Sequence, residues 1–358
     1  MIGGGVVGLA TACELTRCGA RVTVIDAGSI GAQASSRNGG QVSPGIDGAW
    51  ASLARRALDL WPEFVERLGD IEYASAGGLF VVMETDPITP EQIVGYRRER
   101  GFVAEALSPA ECAARLPGLA SRIQGGVFSP RHGQANPYLT TRALARVAVA
   151  AGAHLLAGAR VTGVDVHDGR VRGVRTAQER ISADWVVNAA GPWAASISAL
   201  VGVAVPIRPR RIQIVMTERV RPLTRMVWGG NGLYSRQDAM GRLHFGADGP
   251  PWDPPAEHFT CDVTGPTLQR IAHRMVALVP TLAAVSVTHA WAGIIGPTPD
   301  LLPIIDGLDD PRGFVLATGF GGNGFGTAPA VGESVAELIT TGQTTLDLSK
   351  FSLARFAA

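Results

Sequence analysis

Apolar positions recur along this chain in two periods, and the alternation between them predicts the architecture. Residues 52–68 put Leu53, Ala57, Leu60, Phe64 and Leu68 on one stripe, which is helical spacing. The same period predicts an amphipathic helix over 6–18 and shorter helices over 90–100 and 108–116, the latter opened by Ser108-Pro109. Asn136-Pro137 opens a helix from about 138 to 151 that Gly152 ends. Further helices are predicted over 264–279 and 328–341. Strand patterns cover 20–26, 77–83, 126–129, 185–191, 288–293 and 314–319. Residues 161–166 and 170–176 read as a hairpin across Asp168-Gly169. The stretches 207–217, 226–234 and 242–247 are strand candidates of an antiparallel sheet.

The first eight residues carry the strongest local signal. Gly3, Gly5 and Gly8 fall on the G-x-G-x-x-G spacing, with Val6 and Val7 between the last two. The first glycine allows the turn out of a strand, the second lets backbone approach a pyrophosphate, and the third brings the helix close to the sheet. The helix start offers unpaired N–H groups and a positive dipole end to phosphates. Asp26, followed by Ala27, lies eighteen residues beyond Gly8, where an acid accepts hydrogen bonds from a ribose. Only Met1 and Ile2 stand before Gly3, so the chain is expected to lack a few native residues of its first strand. The alternative is a true start at Met1 with the strand reduced to a stub.

Glycine-rich segments recur. Residues 31–41 are small and polar and read as a loop lying against a ligand. The strand 314–319 runs into Phe320-Gly321-Gly322-Asn323-Gly324-Phe325-Gly326 and then a helix, a second strand–glycine loop–helix unit. Nucleotide-type elements thus occupy both ends and the middle, with antiparallel segments inserted. That pattern predicts two interleaved domains. One comprises 1–48, 137–205 and 290–358; the other comprises 49–136 and 206–289.

Composition narrows the function. The 358 residues carry 32 Lys+Arg and 31 Asp+Glu, a net charge of +1, which argues against nucleic acid or an anionic membrane as main partner. No run of eighteen uncharged apolar residues predicts a membrane span, and no signal peptide is visible. Cys13, Cys18, Cys112 and Cys261 lack metal-site spacing, so neither disulfides nor a metal are expected, and a reducing cytoplasm fits. Lys350 is the only lysine, which disfavours Schiff-base and P-loop chemistry.

Gly3-x-Gly5-x-x-Gly8, the loop Ala34-Ser35-Ser36-Arg37-Asn38-Gly39-Gly40, Asn188-Ala189-Ala190-Gly191-Pro192-Trp193 and the stretch from Thr318 to Gly326 with Pro329 together resemble the D-amino-acid oxidase group of flavoproteins. The likeness is greatest to the branch holding glycine oxidase, D-amino-acid dehydrogenase and the sarcosine oxidase beta subunit. It implies an α/β fold, with a Rossmann-like FAD-binding domain interleaved with an α+β substrate domain on an antiparallel sheet. It implies hydride removal from the carbon beside an amine nitrogen, with FAD rather than NAD. The first three glycines would hold the pyrophosphate and Asp26 the ribose. Ser35 and Ser36 would sit by phosphate or ribityl oxygens, with Arg37 in the same loop. Asn38, Gly39 and Gly40 would line one flavin face, and Val161 would meet adenine through its backbone. Ala190 and Gly191 would flank the adenosine–pyrophosphate stretch. Gly319, Gly321, Gly322, Asn323, Gly324, Phe325 and Gly326 would run along the flavin's pyrimidine edge, where a helix N-terminus stabilises negative charge.

The chain departs from that branch at two places. Ile295 follows Trp291-Ala292-Gly293-Ile294 where an Arg pairs with the substrate carboxylate, and Gly322 stands where a second Arg falls. A carboxylate clamp at those positions is absent. Tyr234 and Arg236, read as the end of a strand, are candidates for hydrogen-bonding the substrate and binding its carboxylate; the plainer reading is a surface pair. His132 and His289 are candidates for taking the amine proton, against surface polarity. Arg208 and Arg210 are expected on one face and Arg211 on the other. Trp50 could roof the substrate or pack in the core, and His244 and Asp300 read as structural. Some relatives use oxygen with help from a lysine over the flavin; a lone Lys350 favours a dehydrogenase passing electrons to a quinone or partner subunit, peripheral at the membrane if so. The alternatives are a non-catalytic flavoprotein subunit and a nicotinamide dehydrogenase.

Overall fold

Residues 1–43, 50–252 and 262–357 are described in the computed structural model; Cys261 and the proposed boundary at 48/49 lie outside them. In chain order the elements are α1 (Val6–Arg17), β1 (Thr23–Ile25), α2 (Ala34–Arg37), β2 (Gln41–Val42), α3 (Ala51–Leu68), β3 (Gly78–Met83), α4 (Pro90–Glu99), β4 (Glu105–Leu107), α5 (Pro109–Arg115), β5 (Ile123–Ser129) and β6 (Gly133–Gln134). Then come α6 (Pro137–Ala150), β7 (His154–Leu156), β8 (Val161–His167), β9 (Arg170–Thr176), β10 (Arg180–Ser182), β11 (Val186–Asn188), α7 (Ala194–Ala199) and β12 (Arg210–Arg219). The last are β13 (Val227–Gly230), β14 (Leu233–Gln237), β15 (Arg242–Pro251), α8 (Gly265–Leu278), β16 (Val287–Ile295), β17 (Ile304–Gly307), β18 (Phe314–Thr318) and α9 (Gly324–Thr340).

The stub before Gly3 completes a sheet. Ile2 bridges Ile25 and Asn188 in parallel, so β7, β1, Ile2, β11, β18 and β17 follow one another, with only β17 antiparallel to its neighbour. Alternate residues of these short strands enter different cores. Val24, Val187, Val315 and Ala317 pack under α1, α6 and α9, while Ile25, Val186, Phe314 and Leu316 pack with the three-stranded sheet β8–β9–β10. Burial on both faces is what a parallel sheet requires.

The second sheet has the order β16-β12-β15-β14-β13-β3-β5-β4, antiparallel except where β13 meets β3. One face, with Val81, Val215, Trp228 and Phe245, is covered by Ile271, Met275 and Leu278 of α8. The other face turns toward the nucleotide-type domain. Helix α3 joins the two halves. Leu53, Ala57, Trp61 and Phe64 enter the core shared with α1 and α9, not the one under α8. Arg56 makes a two-pronged pair with Glu333 of α9.

Three expectations change. The stretch 226–234 is two strands, because Asn231 and Gly232 both take left-handed backbone and turn the chain between β13 and β14. The 31–41 loop contains one helical turn, α2, closed by Asn38, whose amide bonds the carbonyls of Ala34 and Ser35. Helix α9 begins at Gly324 rather than 328, so part of the second glycine loop is helix N-terminus.

Candidate cofactor and substrate site

The glycine fingerprint owes its residues to backbone crowding. A Cβ on Gly8 would fall on the Gly3 carbonyl, and one on Gly3, at φ +105°, would fall on the Ala189 carbonyl. Three backbone segments therefore meet with no room for side chains. Asp26 fixes the turn from the far side, accepting from the Gly4 N–H and the Gly28 N–H at 2.8 Å each. The Ser35 hydroxyl accepts from the Val6 N–H at 2.8 Å, and the Val7 N–H has no partner among the described residues.

These groups open onto a cavity of about 380 Å³. Gly3, Gly5, Val6, Val7, Asp26, Ala27, Ser35, Asn38, Val161, Ala190, Gly191, Gly319, Gly321, Gly322, Gly324 and Phe325 all line it. Of the residues expected at the cofactor, Gly8, Ser36, Arg37, Gly39, Gly40, Asn323 and Gly326 do not. Gly8 acts behind the turn, and Asn323 precedes α9 as its N-cap. Gly326 gives its carbonyl to the Trp61 indole at 2.8 Å. Arg37 braces its loop: its Nε donates to the Ala32 carbonyl at 3.0 Å and its Nη1 to the Ala292 carbonyl at 3.3 Å. Its own carbonyl accepts from the Trp291 indole at 2.8 Å, so α2 is tied to β16.

Other lining residues were not anticipated, among them Ser29, Gln33, Arg160, Ile197 and Ile294. Arg160 precedes the expected adenine contact, and Ile197 follows the expected Ala190-Gly191 turn. Nothing in periodicity marks either. Asn188 holds that turn by accepting from the Ala190 N–H at 3.2 Å and donating to Ser198 Oγ at 2.9 Å and the Ala194 carbonyl at 2.8 Å. Ile295 and Gly322, the two uncharged departures, both line the cavity and lie beside one another. A Cβ on Gly322 would stand 4.0 Å from the Ile295 side chain.

Fit to FAD rests on these features. Val7 of α1 and the Asp26 carboxylate both line the cavity, as do Gly324 and Phe325, whose N–H groups open α9 and have no intrahelical acceptor. The volume lies within the range of cofactor sites. A match to the family model described as DAO, FAD dependent oxidoreductase, covers residues 1–338. The chain belongs to this family. It is 29% identical to glycine oxidase of Geobacillus kaustophilus, over 99% of this chain and 96% of that one. The solved structure of glycine oxidase from Geobacillus kaustophilus superposes at TM-score 0.89, with 28% identity over 99% of this chain and 97% of that one. That of L-proline dehydrogenase from P. horikoshii does so at 0.90, with 30% identity over 99% and 96%. The protein is thus an FAD-dependent oxidoreductase of amines or amino acids, and the nicotinamide reading falls. Among the described residues no helix is long and apolar enough to cross a membrane.

The substrate-side candidates divide. Tyr234 and Arg236 lie two apart on β14, on the sheet face turned toward the nucleotide-type domain. They are not a surface pair. A methyl group built on Gly39 would stand 2.7 Å from the Tyr234 ring, and one on Gly246 would fall within it, so two glycines form a slot for the phenol. Burial, with the Asp248 charge, pushes its ionisation above the ordinary value. Arg236 is 5% exposed and lies against Gly40. Its guanidinium makes no hydrogen bond among the described residues. Burial pulls its pKa down, and the Asp238 and Glu72 carboxylates act the other way.

The two histidines are not brought here. His289 is exposed on β16 beside Thr288, and His132 lines a different cavity. His244 is structural, bonded to Asp238 at 3.0 Å and edge-on to Trp291. Trp50 packs in the core with its indole on the Leu301 carbonyl, and Asp300 pairs with Arg355. Arg210 pairs with Asp248 at 3.5 Å, while Arg211 lies over Trp252.

Proposed function

We propose that this enzyme dehydrogenates a small amino acid or secondary amine whose carboxylate is bound by Arg236 and Tyr234. When bound, FAD would supply the two-electron acceptor for oxidation of the bond between carbon and nitrogen, and water would hydrolyse the imine product. The chain's own work is to grip and orient. The α1 N-terminus and Asp26 would hold the pyrophosphate and ribose, and the α9 N-terminus would favour negative charge on the flavin. Ile295 and Gly322 give the cavity an uncharged wall, so the substrate's anion must be met elsewhere. The interleaved division into 1–48, 137–205 and 290–358 against 49–136 and 206–289 belongs to this reading. It is supported by the two sheets with separate cores, with α3 as the bridge between them.

The observation that carries the reading is Arg236, a buried guanidinium whose Nε has no hydrogen-bond partner among the described residues, beside the loop expected to face the flavin. A buried guanidinium with an unsatisfied N–H is costly, and a bidentate carboxylate relieves that cost. Glycine oxidase and L-proline dehydrogenase, named among the similar proteins, both suggest an amino acid of this size. Lys350, exposed in the C-terminal segment, does not line the cavity, which favours an acceptor other than oxygen. The test is the substitution Arg236→Met, assayed on an amino acid and on the matching amine without its carboxylate. The expected result is a KM for the amino acid raised roughly a hundredfold, with the amine and the flavin content unaffected. Equal KM changes for both would refute the assignment.

A further inference from the structure

A second cavity, of about 30 Å³, lies between α3, the end of α4 and the turn from β5 to β6. Arg55, Arg97, Arg131 and His132 line it together with Ser129, and no carboxylate among the described residues does. None of its residues lines the cofactor cavity. Arg97 is 7% exposed. Its Nη1 donates to Ser129 Oγ at 2.8 Å, and its Nε has no partner. Arg131 is answered by Asp59 at 2.6 Å, but among the described residues Arg55 makes only one long bond, Nε to the Ala51 carbonyl at 3.4 Å.

Positive charge therefore converges on an enclosed space with one arginine neutralised by a carboxylate outside it. Burial pulls Arg97 down to about 10 with no acidic group acting against it. Burial and the Arg97 charge hold His132 down to about 3, uncharged near neutral pH. The space suffices for one small ion or for the head of a carboxylate. An anion there accepts from the free Arg97 Nε and completes the desolvated guanidinium's hydrogen bonds, which a neutral water does less well.

We infer that this cavity is a binding site for a small anion, of halide to carboxylate or phosphate size, that ties α3 and α4 to the β5–β6 turn. The ion is a structural ligand, separate from the substrate. The test is thermal unfolding of the FAD-loaded enzyme in gluconate buffer, with bromide, formate or phosphate replacing gluconate at constant ionic strength. At least one of these is expected to raise Tm and saturate. Arg97→Met abolishes the rise and Arg55→Met weakens the apparent affinity by about tenfold or more, while both keep the flavin spectrum. Arg55 is exposed, so its variant decides the matter if the Arg97 variant fails to fold. No saturating rise with any of the three, or an unchanged rise in Arg55→Met, overturns the site.

Discussion

Single residues here act mostly by leaving room. Gly8 and Gly3 let a helix, a turn and the Ala189 carbonyl share one point, and neither backbone partner can move aside. Gly8→Ala is therefore expected to yield protein without bound FAD, read as loss of visible flavin absorbance at equal protein concentration. Retention of full flavin content would contradict the crowding argument. Gly246 leaves room for a side chain instead. Gly246→Ala is expected to push the Tyr234 ring from its slot and raise KM roughly tenfold, the scale of one hydrogen bond, with flavin content unchanged. An unaltered KM would separate Tyr234 from substrate binding. The fingerprint was legible because steric rules for glycine are local. The Tyr234 slot was not, since its walls, Gly39 and Gly246, lie far apart in sequence.

At the scale of elements, the β14–β15 hairpin carries both substrate candidates, and Asp238 holds its turn. That carboxylate accepts from the N–H groups of Met240 and Arg242, from the Arg242 guanidinium and from His244, at 2.8–3.0 Å. Burial by itself would raise its pKa, but these bonds outweigh it and hold the group well below the usual carboxylate range. A depressed folded pKa means the unfolded chain binds the proton first. The contribution is complete above the unfolded value of about 3.9 and is lost as pH falls below it. Asp238→Asn should cost about 2–3 kcal/mol near neutral pH and flatten the acid limb of the stability curve. Denaturant melts at several pH values would show this; an acid limb identical to wild type would contradict it. The preceding turn, between β13 and β14, is the less legible one. The Asn231-Gly232 pair, the sign of a two-residue turn, sits inside an apolar run that reads as one strand, which puts Tyr234 and Arg236 at its end instead of on the next strand. Periodicity placed α3 closely, 52–68 against Ala51–Leu68, because its stripe is long. Periodicity could not say that the stripe faces α9.

For the whole molecule, the expected cofactor spans elements from both ends and the middle of the chain, from Asp26 through Val161 to Gly322. Binding to the folded state alone should raise stability by about 4 kcal/mol when free FAD exceeds its Kd a thousandfold, seen as a Tm that falls when FAD is removed and returns when it is restored. The histidines mark the limit of sequence reasoning at this scale. His132 and His289 have the right chemistry for a proton acceptor, but topology sends one to the second cavity and the other to an exposed edge of β16. Lys350, Ile295 and Gly322 bear instead on the proposed reading, since the first does not line the cavity and the other two give it an uncharged wall.

The most direct measurement is anaerobic titration of the FAD-loaded protein with amino acids and secondary amines of both chiralities, following the flavin absorbance. The account predicts full bleaching by a carboxylate-bearing amine, slow return of colour in air and rapid return with a quinone. A flavin that stays oxidised with every such amine would contradict it.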